Sequence, residues 1–510
     1  MSVFEEKPQT KIVCTIGPGS SDIGILKEML EAGMNTARLN FSHGTHEEHK
    51  ARLDLIRRAS AESGIPVAVL LDMKGPEVRT GIIENDGFEI RTGETLILTS
   101  EDRIGTPDGV SYSYKNLARE IRPGMRIFID DGIIELRVRE IVLSSGAFSE
   151  NASSFDRIIC DVVTGGPVET KKGINVPDAD LSIPGLSATD LADIDFGIRE
   201  QVDFIAVSFV RCAQDIVNVR NILKAAGSPI HLIAKIENRQ GIRNAKEIIS
   251  VSDGLMVARG DLGVEIPVEE VPARQKDLIR LCNRYGKPVI TATQMLDSMT
   301  RNPRPTRAEA GDVANAVFDG TDAVMLSGET AKGKYPVESV RMMAKIAKRA
   351  EQYDPWREAN VNYIRCPHTE NLNYIKEHIG DREKEKIILP YAIAKSACTL
   401  AENICAKAIL VSTGSGFTAA KVASFRPDVP IIAGTPDDGS FRRMLLIRGV
   451  VPITTGSTSS TDEMLGSIIA RSRDAGYVSD GDRVVLVAGI PAGKKTTNLI
   501  KVHVIGEDLY

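Results

Sequence analysis

The sequence predicts a (β/α)8 TIM barrel with an inserted all-β lid domain and a C-terminal α/β domain. Three observations carry this. Eight short apolar runs, at 11–16, 34–39, 66–71, 203–209, 231–237, 253–259, 288–293 and 322–327, each precede a helical segment, the count of a closed parallel barrel. Between 81 and 178 that rhythm stops, and β-branched runs at 94–99, 126–129, 133–138 and 157–163 are punctuated by Gly and Asp turns. Past 353 the strand–helix alternation restarts. A chain of 510 residues also suggests about three domains. We place the barrel at 1–78 and 179–352, the lid at 79–178 and the last domain at 353–510. A doubly wound sheet would show a dinucleotide turn after its first strand, and Gly17, Pro18 and Gly19 do not form that fingerprint.

Taken in order, the first strand closes on Gly17 to Ser20, and Ser21 or Asp22 caps a helix that ends near Gly33. The second strand ends in the loop 40–45, the third in the charged run 72–79. Thr306 and Glu309 have capping-box spacing and mark a helix start. In the last domain a helix is expected at 392–403, with strands at 408–411, 429–433, 483–488 and 500–505. The polar stretch around Trp356 and the DREKEK run at 381–386 read as a solvated connection; 357–386 is longer than such a connection needs, and no function is assigned to it.

A net charge of -6 without a basic tail argues against nucleic-acid binding. No run of 18 apolar residues is present, so no membrane span is expected, and the acidic start is not a signal peptide. Seven scattered cysteines without a CxxC pair suggest reduced thiols and a cytoplasmic protein.

Side chains two apart on a strand share a face. Lys235 and Glu237 therefore share one at the end of the fifth strand, and Arg259 and Asp261 are expected to share one at the end of the sixth. Two cations and two carboxylates at the ends of neighbouring buried strands are costly unless they pair, hold metal or bind substrate. Structural ion pairs alone would also account for them. The carboxyl ends of barrel strands build the active site in this fold. Here they offer Arg38, Asn40, Ser42, His43, Asp72, Lys74, Arg79, Ser208, Thr293, Ser327 and Glu329 as well. Cations suit a phosphorylated or carboxylated ligand, and two carboxylates suit a hard divalent ion. That chemistry leaves phosphoryl transfer, aldol cleavage and enolisation open. His43, His46 and His49 sit three apart; a helix face open to water accounts for them better than a metal site.

The wording of the motifs narrows the choice. ARLNFSHG at 37–44, DMKGPEVRT at 72–80, AKIEN at 234–238, MVARGDLG at 256–263, ATQML at 292–296, RPTRAE at 304–309 and MLSGETA at 325–331 resemble the pyruvate kinase family, nearly end to end. The resemblance implies transfer of a phosphoryl group from phosphoenolpyruvate to ADP, giving ATP and pyruvate. It implies Mg2+ (or Mn2+) on Glu237 and Asp261, and K+ on Asn40, Ser42, Asp72 and the carbonyl of Met73, where the motif usually has threonine. Glu77 matches members that need K+. Lys235 would neutralise the phosphoryl group, Arg38 grip it, and Gly260, Asp261 and Thr293 seat the substrate carboxylate. Thr293, with Ser327, would relay a proton to the enolate. Asn40, His43, Arg79 and Lys172 would face the nucleotide, under a lid hinged near Pro76 and Pro177. Ser412, Thr413, Ser415 and Thr418, with Lys494 and Lys495, would form a site for a sugar-phosphate effector. A homotetramer is implied too. A metal-dependent aldolase would not explain the lid, Arg79 or Lys172, and a silent relative should have lost Lys235, Glu237 or Asp261.

Overall fold

In the computed structural model, residues 7–144, 155–353, 381–456, 460–490 and 497–509 are described. Lys494, Lys495 and most of the 357–386 segment lie outside them. The eight strands Lys11–Thr15, Thr36–Asn40, Ala68–Asp72, Phe204–Val207, His231–Ile236, Gly254–Ala258, Val289–Ala292 and Ala323–Leu326 close a parallel barrel in chain order, the first pairing with the eighth. Their residues are buried on both faces because helices cover the outside and side chains fill the inside. On the fifth strand Ala234 and Ile236 pack outward in the helix-covered core, while Ile233 belongs to the interior cluster. Alternation therefore aims Lys235, two residues on, into the barrel at its carboxyl end.

The segment after the third strand forms a six-stranded sheet over Thr95–Thr99, Val110–Ser111, Arg126–Ile129, Ile134–Val142, Arg157–Thr164 and Ile174–Asn175, with its own apolar core. A two-stranded ribbon, Gly87–Ile90 with Gly166–Glu169, lies beside it. Entry to it turns at Gly75, whose φ is +74° and where a Cβ would stand 2.7 Å from that of Ser208. Only glycine fits that turn without displacement.

The C-terminal domain is a five-stranded sheet in the order Val450–Thr454, Ile431–Thr435, Ala408–Ser412, Arg483–Ala488, Leu499–Val504, parallel except for the last strand. Two sequence expectations change here. Val450–Thr454 is a strand that sequence reading misses, because Pro452 speaks against a strand and is tolerated only at the edge this one occupies. The helix expected at 392–403 is Asp381–Asn403, so the 381–386 charge run is helical, not a loose connection.

This domain docks on the barrel's amino-terminal face. Leu445 and Leu446 join Val13, Leu70, Phe204, Ile233 and Met256 in the interior cluster and so plug the barrel floor. Arg442 donates to Asp203 (2.8 Å) at the foot of the fourth strand. Arg426 donates to both Asp322 oxygens (2.8 and 2.9 Å), to Asn283 Oδ1 and to the Gly320 carbonyl, at the foot of the eighth. Asp322 is only 3% exposed, so removing its cation strands a buried charge. Arg426→Met is expected to cost about 3–5 kcal/mol in urea unfolding, and a loss under 1 kcal/mol would contradict this docking role.

Candidate active site

The carboxyl end of the barrel collects a buried, charge-dense cluster. Lys235 Nζ lies 2.8 Å from Glu237 Oε1 and 3.1 Å from Asp72 Oδ1, and donates to Ser208 Oγ at 2.7 Å. Asp72 is fully buried and also accepts from Arg38 Nε at 2.6 Å, while Arg38 Nη1 donates to Thr15 Oγ1 at 2.8 Å. Ser208 in turn donates to the Met73 carbonyl at 2.6 Å. Glu237 Oε2 accepts the Phe209 amide, and its side chain is 1% exposed. Five strand ends thus supply one network, because inward-facing positions on strands one to five converge at one rim.

The electrostatics follow from burial against pairing. Burial alone would depress the Lys235 ammonium, but Asp72, Glu237 and Asp261 outweigh it and hold its pKa above the usual 10.5. Burial would raise Asp72, and Lys235 and Arg38 overcome it, so that carboxyl stays below its ordinary 3.8. For Glu237 burial wins: against Lys235, and helped by the Asp261 charge, its pKa rises from 4.5 to about 7. The Lys235 ammonium alone does not offset that burial and the neighbouring Asp261 charge together. The Glu237–Asp261 pair, two hard oxygen donors with surplus negative charge, therefore fits a divalent metal.

Asp261 reaches the cluster differently from the sequence expectation. The sixth strand ends at Ala258, and Arg259–Glu265 is a helix with Asp261 in its first turn. Strand alternation therefore fails beyond Ala258, and Arg259 and Asp261 do not share a strand face. Arg259 is a brace: it donates to Asp312 (2.7 Å), to the Thr293 carbonyl (2.6 Å) and to Ala292 O (3.3 Å). Thr293 Oγ1 accepts the Gly260 amide at 2.8 Å and donates to Ala292 O at 2.6 Å. These bonds hold Thr293 and Gln294 at φ +71° and +53°, a left-handed conformation strained for a β-branched residue. Ser327 Oγ is buried without a partner among the described residues, while its amide donates to Glu329 Oε2 at 2.7 Å. Glu329 also accepts the Leu296 amide (3.0 Å), which fixes the seventh and eighth strand loops together.

Of the monovalent-ion candidates, Asn40 Oδ1 accepts the Ser42 amide at 3.3 Å, and Asp72 and the Met73 carbonyl sit in the network above. Their oxygens and single carboxylate fit a large monovalent cation. The nucleotide candidates are spread more widely. Arg79 pairs with Glu77 and donates to the Lys171 carbonyl (2.6 Å); Lys172 pairs with Asp130 (3.0 Å) and Glu169 (2.9 Å); His43 is exposed. Among the described residues, no hydrogen bond or ion pair joins these three to Lys235. Sequence reading missed the lid tip beside Lys172 and Arg79: Asp130, Asp131 and Gly132 form a left-handed turn, and burial together with the Asp261 charge raises the Asp131 carboxyl. The DDG tripeptide between two strands was its signal. Thr15 was missed too.

The histidine face is only partly open to water. His49 is 2% exposed, stacks on Phe41 with ring centres 4.0 Å apart, and hydrogen-bonds the His43 carbonyl (2.9 Å); burial lowers its pKa to about 4. His46 sits against Asp193 at 2.6 Å, and His43 precedes the helix. In the C-terminal loop, Thr413 Oγ1 accepts the Gly416 amide (3.0 Å) and Thr418 Oγ1 bonds Thr497 Oγ1 (2.9 Å). Ser412 ends a strand, and Ser415 lines a cavity facing the barrel floor.

This geometry has close relatives. The model of the pyruvate kinase barrel domain matches residues 7–340, and that of the pyruvate kinase alpha/beta domain matches 391–503. The chain belongs to the pyruvate kinase family. Proteins named pyruvate kinase from Geobacillus stearothermophilus, Staphylococcus saprophyticus and Staphylococcus epidermidis are 48%, 47% and 46% identical to it, over 98% of this chain and 81% of each relative. The pyruvate kinase barrel match spans every strand that feeds the Lys235 network. No helix of the described residues is long and apolar enough to cross a membrane. The six described cysteines are free.

Proposed function

We propose that the cluster at the barrel mouth carries out the reaction of this family, in which the phosphoryl group of phosphoenolpyruvate passes to ADP and the enolate left behind is protonated to pyruvate. The observation that supports it most is the Lys235 ammonium, held permanently charged between Asp72, Glu237 and Ser208 and beside Arg38. The bond between phosphorus and the enol oxygen breaks while one forms to a terminal oxygen of ADP. Charge spreads over the phosphoryl oxygens in between, and the protein's task is to be already arranged for it. Lys235 meets that charge, and Arg38, braced by Asp72 and Thr15, orients the phosphoryl group. The Asp261 amide, at the start of the Arg259–Glu265 helix, and the Gly260 amide on release from Thr293 Oγ1 would receive the substrate carboxylate. Glu237 and Asp261 would hold Mg2+ or Mn2+, which when bound neutralises phosphoryl and carboxylate oxygens. Asn40, Ser42, Asp72 and the Met73 carbonyl would hold K+.

Thr293 would pass a proton to the enolate carbon, with the buried, unpartnered Ser327 hydroxyl as the second candidate in the relay. Exchange of pyruvate methyl protons with deuterated water, followed by NMR, isolates this step. Thr293→Ala is expected to slow it by about 10²-fold, and Thr293→Ser to retain it. Equal exchange in wild type and Thr293→Ala would remove Thr293 from the relay.

The lid hinges near Pro76 and Pro177, and its closure brings Arg79, Lys172 and Asp130 over the nucleotide while excluding water. Family membership supports assembly into a homotetramer. The loop carrying Thr413 and Thr418 is suited to a sugar-phosphate effector, and free thiols suit a cytoplasmic setting. One coupled assay tests the central reading: pyruvate formation from phosphoenolpyruvate should require ADP and Mg2+ and be stimulated by K+. Pyruvate released at equal rate without ADP would overturn it.

A further inference from the structure

A half-enclosed cavity of about 190 Å³ lies at the seam between the barrel floor and the C-terminal domain, far from the Lys235 network at the opposite end of the barrel. Three cations line it: Lys287 from the foot of the seventh strand, Lys421 from the helix Phe417–Ala423, and Arg443 from the helix Asp438–Met444. Lys421 Nζ donates to a single carbonyl, Tyr285 O at 2.7 Å, and stands 5.5 Å from the Phe417 ring centre. Lys287 donates to three carbonyls, of Ile249, Ser250 and Ser252. Among the described residues, neither ammonium has a carboxylate oxygen within 4 Å. The Arg443 side chain is nine-tenths buried; it reaches Asp437 (3.4 Å) and Ser440 Oγ (2.8 Å), but its Nε–H is buried with no partner. Asp253, the cavity's own carboxylate, is taken by Arg220 at 2.7 Å and by the Leu232 amide.

Lys421 and Lys287 are buried with no carboxylate in contact among the described residues, Asp253 acting on Lys287 only at a distance, which is unfavourable unless a ligand supplies counter-charge. Burial, with Lys287 as a like-charged neighbour, lowers Lys421 to about 8, and burial lowers Lys287 to about 8. The remaining wall is apolar, from Phe204, Pro288, Phe417 and Met444. We propose that this seam is a binding site for a compact phosphate dianion, either inorganic phosphate or the phosphate of a small monoester, held by Lys421, Lys287 and the Arg443 guanidinium. The site is on the Phe417–Ala420–Lys421 face of its helix, whereas Thr418 points to Thr497. Its ligand would tie the C-terminal domain to the barrel floor.

The test titrates the full chain with inorganic phosphate and, separately, with glycerol 3-phosphate, against sodium chloride at matched ionic strength, reading thermal unfolding. Saturable stabilisation is expected, with the affinity weakened about tenfold or more in both Lys421→Met and Arg443→Gln. Turnover in chloride buffer should be unchanged in both, since neither residue is near the barrel mouth. Tighter binding of the monoester identifies an esterified ligand, and tighter binding of inorganic phosphate identifies the free ion. A crystal soaked in selenate should show anomalous density between Lys421 Nζ and the Arg443 guanidinium. Selenate found only at the barrel mouth or beside the Thr413 and Thr418 hydroxyls, or the same phosphate affinity in wild type and both variants, would overturn the proposal.

Discussion

Replacing Lys235 by methionine is expected to lower the turnover of phosphoenolpyruvate with ADP by about 10³-fold, the scale of removing one preorganised charge from a transition state. The fold should survive. Asp72 keeps Arg38 at 2.6 Å, and Glu237, already raised to about 7, can take up a proton in place of its lost cation. The same reasoning makes Lys235→Arg a poor rescue, because a planar fork cannot reproduce three bonds from one nitrogen to Asp72, Glu237 and Ser208. The coupled assay, with circular dichroism as a fold control, reads both. Turnover within tenfold of wild type in Lys235→Met would remove the ammonium from the chemistry.

The second large effect is a metal dependence that changes with pH. Glu237 has a raised pKa in the folded protein, so the metal-free fold favours its protonated form. The stability this group contributes is complete below its unfolded value near 4.5 and is lost as pH rises through about 7. A divalent ion reverses the balance, since it binds the carboxylate and must displace the proton below pH 7. Affinity for Mn2+ should therefore fall by up to about tenfold per pH unit below 7. The gain in melting temperature from Mn2+ should be larger at pH 8 than at pH 6. Glu237→Gln should abolish most of the gain, flatten its pH dependence and cost about 10²-fold or more in turnover. A gain that is equal at pH 6 and pH 8 in wild type would contradict the assignment of Glu237.

The barrel and its catalytic rim were legible because one rule served both. Short apolar runs mark parallel strands, and the period of two aims alternate side chains inward. That rule placed Lys235 and Glu237 on one face, where they stand 2.8 Å apart. It failed one strand later, where the backbone turned helical at Arg259 and rotated Asp261 to the site and Arg259 away. Nothing local in the sequence signals that change, since MVARGDLG reads equally well as an extended run. Contacts between distant segments were invisible for the same reason. Leu445 and Leu446 look like any apolar pair, yet they complete the barrel interior. His49 carries a polar ring on a charged helix, and only the stacked Phe41 shows that it is core. The lid tip at Asp130 and Asp131 looked like turn punctuation until its approach to Asp261 gave it a place near the chemistry.

The most direct measurement is a crystal grown with Mn2+ and phosphoenolpyruvate, examined at the manganese absorption edge. The account predicts one anomalous peak within about 2.2 Å of carboxylate oxygens from both Glu237 and Asp261, with the substrate phosphorus next to Lys235 Nζ. A manganese peak away from those two carboxylates, or a phosphorus lying out of reach of Lys235, would contradict it.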